Sequence, residues 1–370
     1  MPKEWNTMLE FTPQKYQEML LEFTPQKYQE TYQRVIRATQ VLTTDAEPEV
    51  APTPKEVVWT RNKTKLYRYI SDQPKKHKIP LLLVYALINK PYILDLTKGG
   101  SLIEYLVERG FDVYLLDWGT PGYEDRHMKL DDYIMDYIPR AVRKVMRKSK
   151  VEEVSILGYC MGGTITSAFA ALHPELPIRN LIFMTSPFDF ENSGTYGAML
   201  DERYFDINKV VETLGMIPPE MIDYGNKMIN PIGTNFGPLI SLYERAGNEN
   251  FIKSFKLLRK WLNDGILFPG EAYRQWIGDF YQKNKLIKGE MVIRGQKVNL
   301  KNIKANVLNL AGQHDLIAPP NQVGALMNVI SSEDKQFKVL PVGHTSITYG
   351  SQATKITYPT ISEWLKERSN

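Results

Sequence analysis

Apolar residues fall in short unbroken runs along most of this chain, separated by stretches with helical spacing. IPLLLVYAL (79–87), FDVYLLDW (111–118), VSILGYC (154–160), LIFMTSPF (181–188), ANVLNLAG (305–312) and KQFKVLPVGH (335–344) are such runs. Continuous apolar segments of this length read as strands covered on both faces. VVWT and KLYRYI, within 57–70, suggest an antiparallel hairpin ahead of them. SLIEYLVERG (101–110) has helical spacing and ends on Gly110, suited to the C′ position, and a charged helix is expected over 131–149. Strand–helix alternation of this kind predicts an α/β protein with a mostly parallel sheet wound on both sides. Residues 189–295 break the rhythm, being rich in Pro, Gly, aromatics and short helical pieces. They are expected to form a cap inserted between two blocks of the core, 56–188 and 296–370.

The first 55 residues follow another pattern. LEFTPQKYQE occurs at 9–18 and again at 21–30, and in each copy Thr-Pro offers an N-cap followed by a first helical position. Two units are too few for a solenoid; the repeat is either a duplication in a tolerant terminus or a docking segment. DAEPEVAPTPKE (45–56) reads as a Pro-rich linker. Composition is that of a soluble globular protein, with 43% hydrophobic and 24% charged residues. A net charge of +4 is compatible with an anionic substrate but too weak to suggest nucleic acid. No run approaches the roughly 20 apolar residues of a membrane span, and the N-terminus shows no signal-peptide pattern. The cytoplasm is the expected compartment.

The chain has a single cysteine, which excludes an intrachain disulfide. Cys160 occupies the centre of LGYCMGGT, where many enzymes of the G-x-S-x-G type place serine at a strand-to-helix turn. A sulfur beside a helix N-terminus is favoured as thiolate. Gly158 and Gly162 would give the turn room, and Gly163 would let the helix approach the strands. The backbone N–H of Met161 is placed to donate to an oxyanion, with a second donor expected from Ile88 after the 79–87 strand. A buried structural cysteine is the plain alternative. Of five histidines (His77, His127, His173, His314, His344), His344 lies beyond the last strand, in VGHTS. Asp315 lies beyond the preceding strand, in GQHDLIAPP. In an α/β-hydrolase fold the order nucleophile, acid, histidine makes His344 the base and Asp315 its orienter. His314 remains the rival. Cysteine in place of serine keeps an acyl group activated as a thioester, which points to acyl transfer rather than hydrolysis.

From about residue 55 onward the chain resembles the polyhydroxyalkanoate synthases. The resemblance rests on YALINKPYILDL (85–96), GFDVYLLDWGTPG (110–122), LGYCMGGT, FMTSPFDF (183–190), WLNDGILFPGEAYRQWIGDFYQKNKL (261–286), GQHDLIAPP and PVGHTS. It implies polymerisation of 3-hydroxyacyl-coenzyme A, with short-chain substrates such as 3-hydroxybutyryl-CoA, and release of coenzyme A. Cys160 would carry the acyl chain and His344 would deprotonate the thiol and the 3-hydroxyl, with Asp315 either orienting His344 or itself activating that hydroxyl. No cofactor or metal is implied, since the CoA thioester is the substrate. Asp95 and Trp276 fall in matching blocks and are candidates for the pocket, with packing or capping the competing roles. The short N-terminal part is similar to that of the two-component Bacillus-type (class IV) catalytic subunits. This implies a small accessory subunit, a homodimer or hetero-oligomer, and a position at the surface of polyester granules. The duplicated decapeptide is not part of that pattern. A cysteine hydrolase of the same fold, either a thioesterase or a dienelactone-hydrolase-like enzyme, is the alternative activity. A non-catalytic granule coat is the alternative of another class.

Overall fold

The computed structural model describes residues 24–43, 47–191 and 193–369, which fall into two compact units. The smaller unit joins the described residues up to Pro48 with Ile232–Lys256. Its first helix, α1 (Pro25–Thr43), begins on the second copy of the decapeptide. The Thr24 hydroxyl accepts from the Lys27 amide at 3.3 Å, so Thr-Pro acts there as cap and first helical residue. The first copy lies outside the described residues. Helix α1 packs on the helix Gly237–Glu244 and leaves Tyr28, Tyr32, Val35 and Leu42 exposed.

The larger unit, Glu49–Pro231 with Leu257–Asn370, is built on an eight-stranded sheet. Its strands are β1 (Lys55–Arg61), β2 (Thr64–Tyr69), β3 (Leu81–Val84), β4 (Val113–Asp117), β5 (Val154–Tyr159), β6 (Ile178–Met184), β7 (Asn306–Gly312) and β8 (Lys335–Leu340). They run in the order β1-β2-β4-β3-β5-β6-β7-β8. The hairpin β1–β2 is antiparallel and joins β4 antiparallel; every pairing from β4 to β8 is parallel. Every residue of β3 and β5 is buried, as their unbroken apolar runs require. The α/β-hydrolase expectation is met.

Local chemistry sets the helix ends. In α2 (Leu102–Glu108) the Ser101 hydroxyl accepts from the Glu104 amide at 2.9 Å. At its other end the Gly110 amide donates to Val107 and the Phe111 amide to Leu106, a Schellman closure with Gly110 at φ +90°. The charged helix expected over 131–149 is divided. A π-helical turn, Tyr133–Tyr137, precedes α3 (Ile138–Ser149), where Pro139 fits only the opening turn. The 79–87 run is strand only to Val84; the chain then leaves the sheet through an irregular segment and the 3₁₀ turn Pro91–Leu94. Among the described residues no helix is long and apolar enough to cross a membrane.

Candidate active site

Cys160 stands between β5 and α4 (Met161–Leu172), with φ 54° and ψ −131°. An L-residue rarely adopts this conformation, which costs on the order of 1–3 kcal/mol and persists only where the surroundings impose it. Three glycines make it possible by letting backbones touch. A Cβ at Gly158 would lie 2.3 Å from Gly163 Cα, and one at Gly162 would lie 2.3 Å from the Val84 carbonyl oxygen. One at Gly163 would lie 2.0 Å from Ser186 Oγ. The turn is therefore clamped between the ends of β3 and β6. The Cys160 amide donates to the Met184 carbonyl at 2.9 Å, and the Thr164 hydroxyl donates to the Pro187 carbonyl at 2.7 Å. Cys160 itself is partly exposed.

The loops after β7 and β8 bring two further side chains together. Asp315, with its carboxylate buried, lies 2.7 Å through Oδ2 from His344 Nδ1. Its other oxygen accepts from the amides of Ile317 (2.8 Å) and Ala318 (2.9 Å), so the carboxylate cannot rotate away. The His314 amide donates to the Val342 carbonyl, stitching the two loops together, while its side chain is exposed and the ring paired with Asp315 is that of His344. His77 stacks on Phe111, His173 meets Glu175 at 3.0 Å, and His127 is exposed.

Burial, the largest influence on His344, pulls its imidazole down. The Asp315 carboxylate and then Cys160, acting as charge and as hydrogen-bond partner, outweigh it and hold the ring well above the usual histidine range. Both partners favour the protonated ring, and the thiol and the imidazole face each other. Asp315, His344 and Cys160 form one connected group on the C-terminal side of the sheet, where open α/β sheets place their sites.

Met161 opens α4, so its amide lies outside the intrahelical ladder. Ile88 lies in the segment leaving β3, whose first residues abut Gly162. Its carbonyl is pinned by the Ile266 amide at 3.1 Å. Asp95 is fully buried and fully engaged. It accepts from the Thr53 hydroxyl (2.6 Å), the Thr53 amide (3.2 Å) and the Ser101 hydroxyl (2.7 Å), tying the 51–53 segment to the α2 cap. Those bonds join it to Ser101, the residue that caps α2. Trp276 is buried in the π-helical turn Trp276–Gln282, against Phe190 (5.5 Å between ring centres), Phe280 (4.8 Å) and Tyr281 (5.9 Å).

The sequence reading missed a ring of tyrosines. Burial raises the hydroxyls of Tyr85, Tyr159, Tyr196 and Tyr281, and a charge at Cys160 pushes each the same way, with Tyr159 stacked on Tyr85 at 5.4 Å between ring centres. Tyr196 is pushed up to about 12, so its phenol stays a neutral donor. Only Tyr159 carried a local signal, as the neighbour of Cys160. Tyr196 and Tyr281 come from the 189–295 stretch and meet ring to ring at 5.2 Å.

Two families match this chain: "alpha/beta hydrolase fold" over residues 79–350, and "Poly-beta-hydroxybutyrate polymerase (PhaC) N-terminus" over 25–106. The "Poly(3-hydroxyalkanoate) polymerase subunit PhaC" of Haloferax mediterranei is 37% identical over 91% of this chain and 68% of its own length. Its counterpart from Synechocystis is 36% identical over 86% of both. The chain belongs to the PhaC polymerase family. The Allochromatium vinosum PhaC subunit, 37% identical over 85% of this chain and 89% of its own, supports the same placement. Among solved structures, a Paleococcus ferrophilus monoacylglycerol lipase overlays with TM-score 0.51 at 19% identity, over 82% of this chain and 99% of its own. A putative lipase from Sulfolobus solfataricus gives 0.51 at 14%, over 88% and 99%. At such identities these two share the fold with this PhaC-family chain and carry no inference about its substrate.

Proposed function

We propose that Cys160 carries the growing polyester as a thioester and that His344 and Asp315 move the protons, so that the chain polymerises 3-hydroxyacyl-CoA, with 3-hydroxybutyryl-CoA the expected monomer. The observation that carries this is the connected group Asp315–His344–Cys160, with the imidazole set between the buried carboxylate and the sulfur. The Cys160 thiolate attacks the thioester carbonyl of the substrate, the bond to the CoA sulfur breaks, and His344 gives its proton to the departing thiolate. In the second half the neutral imidazole takes the proton from the 3-hydroxyl of the next monomer. The oxygen attacks the Cys160 thioester, an ester bond forms, and the sulfur returns as thiolate against the reprotonated ring. The amides of Met161 and Ile88 are the proposed donors to the oxyanion in each half. No group beyond these side chains and the CoA thioester is needed to balance either step.

Within the larger unit, the parts of the expected cap at 193–231 and 257–295 are proposed to keep water from the thioester. There Trp276, Phe190, Tyr196 and Tyr281 pack ring on ring, and the proposed cover would exclude water through this aromatic cluster. A small accessory subunit, assembly as a homodimer or hetero-oligomer, and residence in the cytoplasm at the polyester granule surface complete the proposal. The exposed Tyr28, Tyr32 and Val35 on α1 favour a protein partner. The test is a CoA-release assay on 3-hydroxybutyryl-CoA with product analysis. Polymer together with free CoA is expected, and CoA with free 3-hydroxybutyrate alone would replace this reading with a hydrolase.

A further inference from the structure

We infer that Tyr159 is a positioning residue that ties the His344 loop to the nucleophile turn. Tyr159 is the last residue of β5 and the covalent neighbour of Cys160. It is buried, and its hydroxyl donates to the main-chain carbonyl of His344 at 3.0 Å. Its ring centre lies 5.8 Å from that of the imidazole and 5.4 Å from that of Tyr85, stacked at 17°. Tyr85 is itself anchored, since its carbonyl accepts from the Trp118 indole at 2.9 Å.

The sheet explains why such a tie is needed. β5, which delivers Cys160, and β8, which precedes His344, are separated by β6 and β7. Three strand spacings amount to about 14 Å, and β8 is a partly exposed edge strand whose ladder ends at Leu340, before the histidine. Nothing in the ladder therefore fixes how far the imidazole stands from the sulfur. Asp315 sets the ring's rotation through Nδ1, but Asp315 also belongs to the far side of the sheet. Tyr159 is bonded to the nucleophile at one end and to the base's backbone at the other. It converts a separation across the sheet into the length of one rigid side chain. The role rests on the Cys160–His344 assignment proposed above, for which it supplies the spacing.

The test compares Tyr159→Phe with wild type and with His344→Ala, since the Phe ring preserves the Tyr85 stack and removes only the hydrogen bond. Two quantities are read: steady-state CoA release, and the rate of Cys160 alkylation by iodoacetamide as a function of pH, which needs no polymer synthesis. Small misplacement of a catalytic group costs up to about 100-fold in rate; Tyr159→Phe should lower kcat roughly tenfold with KM little changed. Its alkylation profile should move from the wild-type curve toward that of His344→Ala. An unchanged kcat, or a lowered kcat with a wild-type alkylation profile, overturns the inference. If His344→Ala itself alkylates like wild type, the thiolate–imidazolium reading fails first and the Tyr159 role falls with it.

Discussion

Cys160 is held at φ 54° because its neighbours leave no other path, and the strain is separable from the chemistry. Cys160→Ala and Cys160→Gly should both abolish CoA release. The Gly variant should unfold at higher denaturant than the Ala variant, by about 1 kcal/mol, because Gly alone accepts this φ without penalty. Equal midpoints in urea titrations would remove strain from the account. His344 offers a second test at this scale. Its proton is held more tightly in the folded state than in the unfolded chain, so its contribution to stability is complete below about pH 6.5. It is lost as pH rises through the raised folded value, with a slope of at most about 1.4 kcal/mol per pH unit. Asp315→Asn removes the main raising influence and should flatten that slope in pH-dependent unfolding. It should also cost roughly 10⁴-fold in CoA release, as the analogous change does in serine triads.

At the level of elements, the site depends on close backbone approach more than on side chains. Gly158→Ala would set a methyl 2.3 Å from Gly163 Cα, which is main chain and cannot yield. A loss of about 3 kcal/mol is expected by thermal or chemical unfolding. Gly278, in the π-helical turn with nothing within 4 Å of its would-be Cβ, is the contrast. Gly278→Ala should stabilise by about 0.5–1 kcal/mol through the unfolded chain. Asp95→Ala should destabilise by breaking the three bonds from Thr53 and Ser101, yet leave the Cys160 alkylation profile unchanged. A changed profile would return Asp95 to the pocket. The runs at 79–87 and 335–344 show where element ends escape the sequence. Both contain residues that keep an apolar or extended look after the last ladder bond, at Val84 and Leu340. Only the neighbouring strand decides where pairing stops.

Across the whole molecule, α1 presents Tyr28, Tyr32, Val35 and Leu42 at spacings of four, three and seven, the seam of a helix that pairs with another. Tyr28→Glu with Tyr32→Glu should leave the melting temperature within error of wild type, because both side chains are exposed. It should abolish copurification of any small accessory subunit of the kind proposed above. Retention of the partner would move the interface elsewhere. The decapeptide's Thr-Pro was legible as a helix start because capping is local, and α1 begins there. Its outward-facing tyrosines were not legible, because exposure depends on what packs against the helix.

The sequence by itself determined the parallel sheet, the strand-to-helix turn at Cys160 and the order Cys160, Asp315, His344, since each follows from local apolar runs, glycines and strand-end positions. It left His314 as a rival, and only the fold separated the two histidines, by bonding the His344 ring to Asp315 and turning the His314 side chain to the surface. It also left Asp95 between two roles, and only the fold shows the buried bonds from Thr53 and Ser101 that its carboxylate accepts. The tyrosines around the sulfur come from four separate segments of the chain, and no local pattern links them. Their convergence is a matter of packing, and packing is long-range in sequence even where it is short-range in space.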